Sequence, residues 1–221
     1  MRHSSRPLGR LGADRRLFEM KLKQSERHIQ ELFRTRYGVT LEKIDEGGGS
    51  DGQTADFELI KSNKRVFVCE LKEFERVEPS KKHNWTIIQH PDGSEETYGA
   101  SNAPNRISRC IYEAYKQLGR YREPKVLIFL NHDAMDYRDL EETYRGYLIF
   151  EVGETRIKNT YAKRASEGII KDVKTMIDLY IWVDSSNTRV GLQDDMVTFL
   201  FVSKIGRKIA TDNFGIISET A

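Results

Sequence analysis

At 221 residues, 38% of them hydrophobic and 32% charged, the chain has the length and composition of one folded domain rather than a disordered or fibrous segment. Its 36 Lys and Arg against 34 Asp and Glu leave a net charge of +2, so bulk charge does not mark a nucleic-acid binder, and a basic surface must come from local segregation. Two cysteines, Cys69 and Cys110, do not make a disulfide framework, no apolar run approaches the ~20 residues that span a bilayer, and no apolar stretch follows the basic N-terminus as in a secretory signal; the expectation is a cytoplasmic protein without membrane contact.

Residues 1–12, MRHSSRPLGRLG, have the composition of a flexible basic tail. Seven Lys and Arg from Met1 to Lys23 face only Asp14 and Glu19, which suits an arm on phosphates as well as a solvated tail. A helix is expected from Asp14 to Arg36, where Leu22, Glu26, Ile29 and Phe33 recur at helical spacing. Glu26 interrupts that apolar stripe, and a carboxylate on a core-facing stripe needs a partner or a path to water. Val39 to Ile44 reads as a first strand. The run from Gly47 to Gly52, which includes Ser50, is a connector or a loop whose N–H groups approach a phosphate.

The chain is organised around Ala55–Lys72, ADFELIKSNKRVFVCELK. Phe57 and Leu59 alternate with Asp56 and Glu58, the polar run Lys61 to Arg65 breaks the pattern, and Val66 to Leu71 is densely apolar, so two strands joined by a turn are expected. Glu70 and Lys72 then share one face of the second strand, and a hairpin brings Asp56 beside Glu70. Two carboxylates and a lysine around one point can hold a hard divalent cation and orient a water, which suits phosphodiester hydrolysis. An ordinary amphipathic hairpin with a charged rim would read the same way.

Charged residues follow from Glu73 to Lys82, then Trp85–Ile88 and Glu96–Tyr98 flank Pro91-Asp92-Gly93, the pattern of a β-hairpin over 84–98. Asn102 and Pro104 open a helix whose inner stripe is Ile107, Cys110, Ile111, Ala114, Gln117, Leu118 and Tyr121. Gln117 is the polar member of that stripe. Arg106, Arg109, Lys116, Arg120 and Arg122 give the helix a basic outer surface interleaved with Tyr112 and Tyr115, a candidate nucleic-acid contact. Lys125 to Leu130 is a buried strand expected to run parallel to its neighbour across the helix. His132 and Asp133 read as a polar loop. Beyond them a helix is expected at Asp136–Tyr144, a helical stretch at Ser166–Met176, and strands at Tyr147–Val152, Leu179–Val183 and Val197–Val202. This C-terminal part extends the sheet, binds a protein partner or forms a homodimer surface.

Asp56, then thirteen residues, then Glu70-Leu71-Lys72 resembles the D…(D/E)xK signature of the PD-(D/E)XK nuclease superfamily, with Ala55 where a proline usually precedes the Asp. SERHIQELF, around Glu26, is similar to the start of archaeal Holliday junction resolvases, and QLGRY resembles the Gln of several nuclease families with its Tyr four residues on. The resemblance covers residues 20–132. It implies an α/β restriction-endonuclease-like fold with a mixed central sheet flanked by helices and an αβββαβ core at 13–135, and leaves 136–221 as an extension of the same domain. It implies a nuclease using Mg²⁺ or Mn²⁺, acting on DNA in the first instance. Asp56, Glu70 and the Leu71 carbonyl would ligate the metal and Lys72 would orient the water. Glu26 is either an added acid or a boundary residue, Gln117 supports the site, and Ser50 lies near it. A nuclease-like domain that only binds nucleic acid or a protein is the alternative.

Overall fold

Two largely apolar runs, Val66–Leu71, broken only by Glu70, and Val126–Leu130, become the paired centre of the sheet, because a strand buried on both faces favours nonpolar residues on both. The computed structural model describes residues 10–44, 54–75, 86–89, 95–98, 102–152, 155–185 and 194–216. Residues 1–9, the Gly47–Gly52 loop with Ser50, and most of the charged segment 73–82 lie outside them. In chain order the elements are α1 (Arg10–Tyr37), β1 (Glu42–Lys43), β2 (Phe57–Lys61), β3 (Lys64–Phe74), β4 (Thr86–Gln89), β5 (Glu95–Tyr98), α2 (Ala103–Leu118) and β6 (Lys125–Asn131). They continue with α3 (Tyr137–Arg145), β7 (Leu148–Val152), β8 (Thr155–Asn159), a π-turn (Ala165–Ile169), a short 3₁₀ turn (Lys174–Met176), β9 (Leu179–Asp184), β10 (Met196–Phe201) and α4 (Lys204–Phe214).

Six strands form one mixed sheet in the order β1-β2-β3-β6-β9-β10. The first three are an antiparallel meander, β6 lies parallel to β3 as expected, β9 parallel to β6, and β10 antiparallel to β9. The β2–β3 turn is Ser62-Asn63, both with positive φ (50° and 60°), as a tight hairpin of right-handed twist requires. One face of the sheet, with Phe57, Phe67, Cys69, Ile128 and Ile181, packs against Ile29 and Phe33 of α1 and Ile209 and Phe214 of α4. The other, with Val68, Phe74, Phe129 and Trp182, packs against Ile107, Ile111, Ala114 and Leu118 of α2. α4 lies close against the start of β9: a Cβ on Gly206 would meet the Asp178 carbonyl at 1.9 Å.

Several expectations change in detail. α1 starts at Arg10, so the last residues of the basic tail are helical. The first strand shrinks to Glu42–Lys43, whereas β3 runs on past Lys72 through Glu73 and Phe74 because β6 pairs with that stretch. The C-terminal region extends the sheet through β9 and β10, but β7 pairs with an unforeseen β8 in a separate hairpin. The expected helix over 166–176 is broken into the π-turn and the 3₁₀ turn; Gly168 and the β-branched Ile169, Ile170 and Val173 weaken it as a helix. β4 and β5 form the expected hairpin, apart from the central sheet. Both cysteines are free, and Cys69 is buried. Among the described residues no helix is long and apolar enough to cross a membrane.

Candidate active site

The site forms where β2 has not yet begun and β3 continues without it. Phe57 pairs with Cys69, so extending that register by one residue sets Asp56 opposite Glu70. Directly opposed like charges destabilise a strand pair, and folding alone gives no reason to keep them. Alternation aims both away from the α1 face that Phe57 and Cys69 occupy. No strand residue pairs with Leu71 on this edge, so its N–H donates to Asp56 Oδ2 at 2.8 Å. A residue in an antiparallel strand points its N–H and C=O to the same edge, so the Leu71 carbonyl faces the same opening.

Lys72 follows on the same face. Its ammonium donates to Glu70 Oε1 and to Gln117 Oε1, each at 2.8 Å, so α2 holds the lysine from above. A lysine has three donors, so these two bonds leave one over, and Lys72 also lines the cleft. The Tyr121 hydroxyl, one turn beyond Gln117, accepts a hydrogen bond from the Ala55 N–H at 3.3 Å and so fixes the residue before Asp56.

The electrostatics of the pair are unfavourable without a cation. Glu70 is 2% exposed, and its Oε2 accepts no hydrogen bond. Burial first, then the charge of Asp56, pushes its carboxyl up to about 8 against the pull of Lys72. Asp56 is raised as well, mainly by burial, with the Leu71 N–H and Lys72 opposing and Glu26 adding to the rise. The two carboxyls lie within hydrogen-bonding reach, so one proton can bridge them. That is the signature of crowded acids.

A cleft of about 260 Å³ opens beside the pair, bordered also by Ser25, Glu26, Glu73 and Glu75. Glu26 borders it but has a partner the sequence reading lacked: Lys43 Nζ donates to its Oε2 at 2.6 Å. Among the described residues no three His, Cys, Asp or Glu side chains gather closely enough to enclose a metal ion, so Glu26 is not drawn into a triad with Asp56 and Glu70. The remaining donor set still fits one class of ion. Mg²⁺ keeps several waters and is commonly held by one or two carboxylates together with substrate phosphate, and the bare Glu70 oxygen opposite Asp56 offers that arrangement.

The basic residues of α2 divide. Arg106 is half-buried, paired with Asp133, stacked 5.4 Å over Phe74 and in contact with the Glu75 carbonyl at 3.5 Å. Much of its charge is therefore engaged within the fold. Arg109 and Lys116 are exposed. His132 and Asp133, read from sequence as a polar loop, are fastenings: His132 Nε2 meets Glu73 Oε1 at 3.2 Å, and Asp133 anchors Arg106. Alternation along ELKE does separate Glu73 from Glu70, but nothing in the sequence pairs Glu73 with Ser25 or Arg106 with Asp133. No family model, no curated protein and no solved structure matches the chain.

Proposed function

We propose that the chain is a divalent-metal-dependent nuclease of the PD-(D/E)XK type, hydrolysing phosphodiester bonds, with DNA as the first substrate to test. One observation carries the reading: a buried carboxylate with an unsatisfied oxygen lies opposite a second carboxylate, two residues from a lysine held by a glutamine. The element order supports it, since a helix, an antiparallel three-strand meander, a helix and a parallel fourth strand correspond to the αβββαβ core of restriction-endonuclease-like folds.

Asp56 and Glu70, with the Leu71 carbonyl, would hold Mg²⁺ or Mn²⁺. The ion would act there as a Lewis acid toward a phosphoryl oxygen and lower the pKa of bound water. The protein's own residues do the positioning. The Leu71 N–H fixes the Asp56 carboxylate, Gln117 fixes the Lys72 ammonium, and Tyr121 fixes the Asp56 backbone through Ala55. The third Lys72 donor would orient the attacking water or meet the charge developing on phosphate. Glu26, held by Lys43, adds negative potential at the cleft rim and makes a bound cation more favourable.

The test is direct. Wild-type protein is incubated with supercoiled, linear and single-stranded DNA and with RNA, in Mg²⁺, Mn²⁺ or chelator. Cleavage is expected only with metal, and Asp56→Asn and Lys72→Ala should abolish it while the domain stays folded. Folded protein that binds nucleic acid yet cuts none of these substrates would replace the nuclease with a binding domain of the same shape.

A further inference from the structure

The outer side of α2 carries a groove that the proposed chemistry does not use. Asn102, Asn105, Arg106, Arg109 and Tyr112 line it, and Ile169 of the π-turn contributes the facing wall. Its volume is about 360 Å³, within the range of ~300–1,000 Å³ typical of ligand pockets. Two apolar surfaces are left open to solvent there: Tyr112 is 41% exposed and Ile169 46%. The Lys116 ammonium lies 4.4 Å over the Tyr112 ring, which settles the ring and sets a positive charge beside it. Arg109 has no ion-pair partner among the described residues. Asn105 Nδ2 donates to Asn102 Oδ1 at 3.0 Å, which leaves the Asn102 amide NH₂ and the Asn105 amide oxygen for another ligand. The groove also borders the N-terminus of the sixteen-residue α2, the end that favours anions.

A flat aromatic face, amide donors and acceptors, Arg109 in the groove and Lys116 beside the Tyr112 ring match the parts of a nucleotide: base face, base edge and phosphate. A base inside a duplex offers neither of its faces to a protein side chain. We propose that this groove binds an unpaired base of a single-stranded segment next to the scissile phosphate, a proposal that rests on the nuclease reading of the cleft. The two sites are neighbours through one side chain. Arg106 lines the groove and contacts the carbonyl of Glu75, and Glu75 borders the catalytic cleft. A strand stacked on Tyr112 would run over α2 past Arg106 toward the Asp56–Glu70 pair. The substrate class is nucleic acid with single-stranded character beside the cut, not a blunt duplex.

Binding is measured by fluorescence anisotropy with the full chain in chelator, where no cleavage occurs, using a labelled single strand and the blunt duplex of the same sequence. The single strand should bind more tightly. Tyr112→Ala should weaken single-strand binding about tenfold, as loss of one stacked base does, without changing the salt slope. Tyr112→Phe should restore it, which a role of the hydroxyl in folding would not allow. Arg109→Ala should flatten the salt slope by about one charge. Equal affinity for strand and duplex, or wild-type affinity in Tyr112→Ala, overturns the proposal. Cleavage is read separately in Mg²⁺. Metal-dependent cutting with an indifferent Tyr112→Ala sinks the groove alone, whereas stacking-dependent binding without cutting supports the groove and sinks the nuclease reading.

Discussion

Glu70 and Glu73 stand three residues apart on β3 and leave it on opposite faces. Glu73, on the α1 side, has both oxygens engaged: Ser25 Oγ donates to Oε2 at 2.7 Å, and His132 Nε2 lies 3.2 Å from Oε1. Its side chain keeps 18% of its surface in water. Glu70, on the α2 side, is sealed from water, has one oxygen on Lys72 and the other bare, and faces Asp56. Two glutamates in one tetrapeptide-length stretch thus carry different burdens. Glu73 ties α1 and the end of β6 to the edge of the sheet. Glu70 is held in a state that only a proton or a cation relieves, and that unspent coordination capacity is what makes it the candidate ligand.

The sharpest way to break this contrast is to neutralise each residue in turn. Glu70→Gln should reduce metal-dependent cleavage by at least about 10²–10³, the range found when a single group stabilising transition-state charge is lost. Glu73→Gln keeps a hydrogen-bonding amide on its fastening. It should cost about 1 kcal/mol of stability and leave cleavage largely intact. Comparable losses of activity in both would mean that the two glutamates act as one cluster.

The second way uses pH, on metal-free protein. A carboxyl whose folded value is raised stabilises the fold most fully below its unfolded value, near 4.5, and that stability is lost as pH rises through the folded value, about 8. Asp56 is shifted in the same direction and adds to the effect. Thermal unfolding in chelator should therefore show wild type losing several kcal/mol relative to Glu70→Gln across this window. Mg²⁺ should restore much of the loss at the alkaline end. Parallel melting curves for the two proteins from acid to alkaline pH would mean that Glu70 is not strained.

A smaller effect is expected at Gln117. Gln117→Ala leaves Lys72 tied to Glu70 alone, so cleavage should fall roughly tenfold, the worth of one hydrogen bond to a charged group. Kinetics that locate the loss in kcat fit a positioning role for Gln117; a loss confined to KM does not.

The legible parts of this molecule were those fixed by local pattern. Alternation in FELIK, the density of VFVCEL, and a helix stripe broken by one Gln placed β2, β3 and α2 and aimed Glu70, Lys72 and Gln117 at one another. Partners far along the chain could not be read. Lys43 reaches Glu26 because β1 pairs with β2, Asp133 reaches Arg106 because β6 ends beside α2, and Ser25 reaches Glu73 across the sheet edge. Those contacts depend on strand order, which no single stretch encodes. The same cause produced the errors of extent. Glu73, beyond Lys72, looks too polar for a strand until β6 is known to pair with it, and Leu148–Val152 looks like a sheet strand until β8 claims it.

The proposed binding of a divalent cation between Asp56 and Glu70 is tested by calorimetric titration of Mn²⁺ into wild type, Asp56→Asn and Glu70→Gln at neutral pH, each first shown to be folded. Wild type should bind one ion saturably, and each substitution should remove or strongly weaken that binding. A wild type that takes up no Mn²⁺, or variants that bind it as tightly as wild type, would contradict the account.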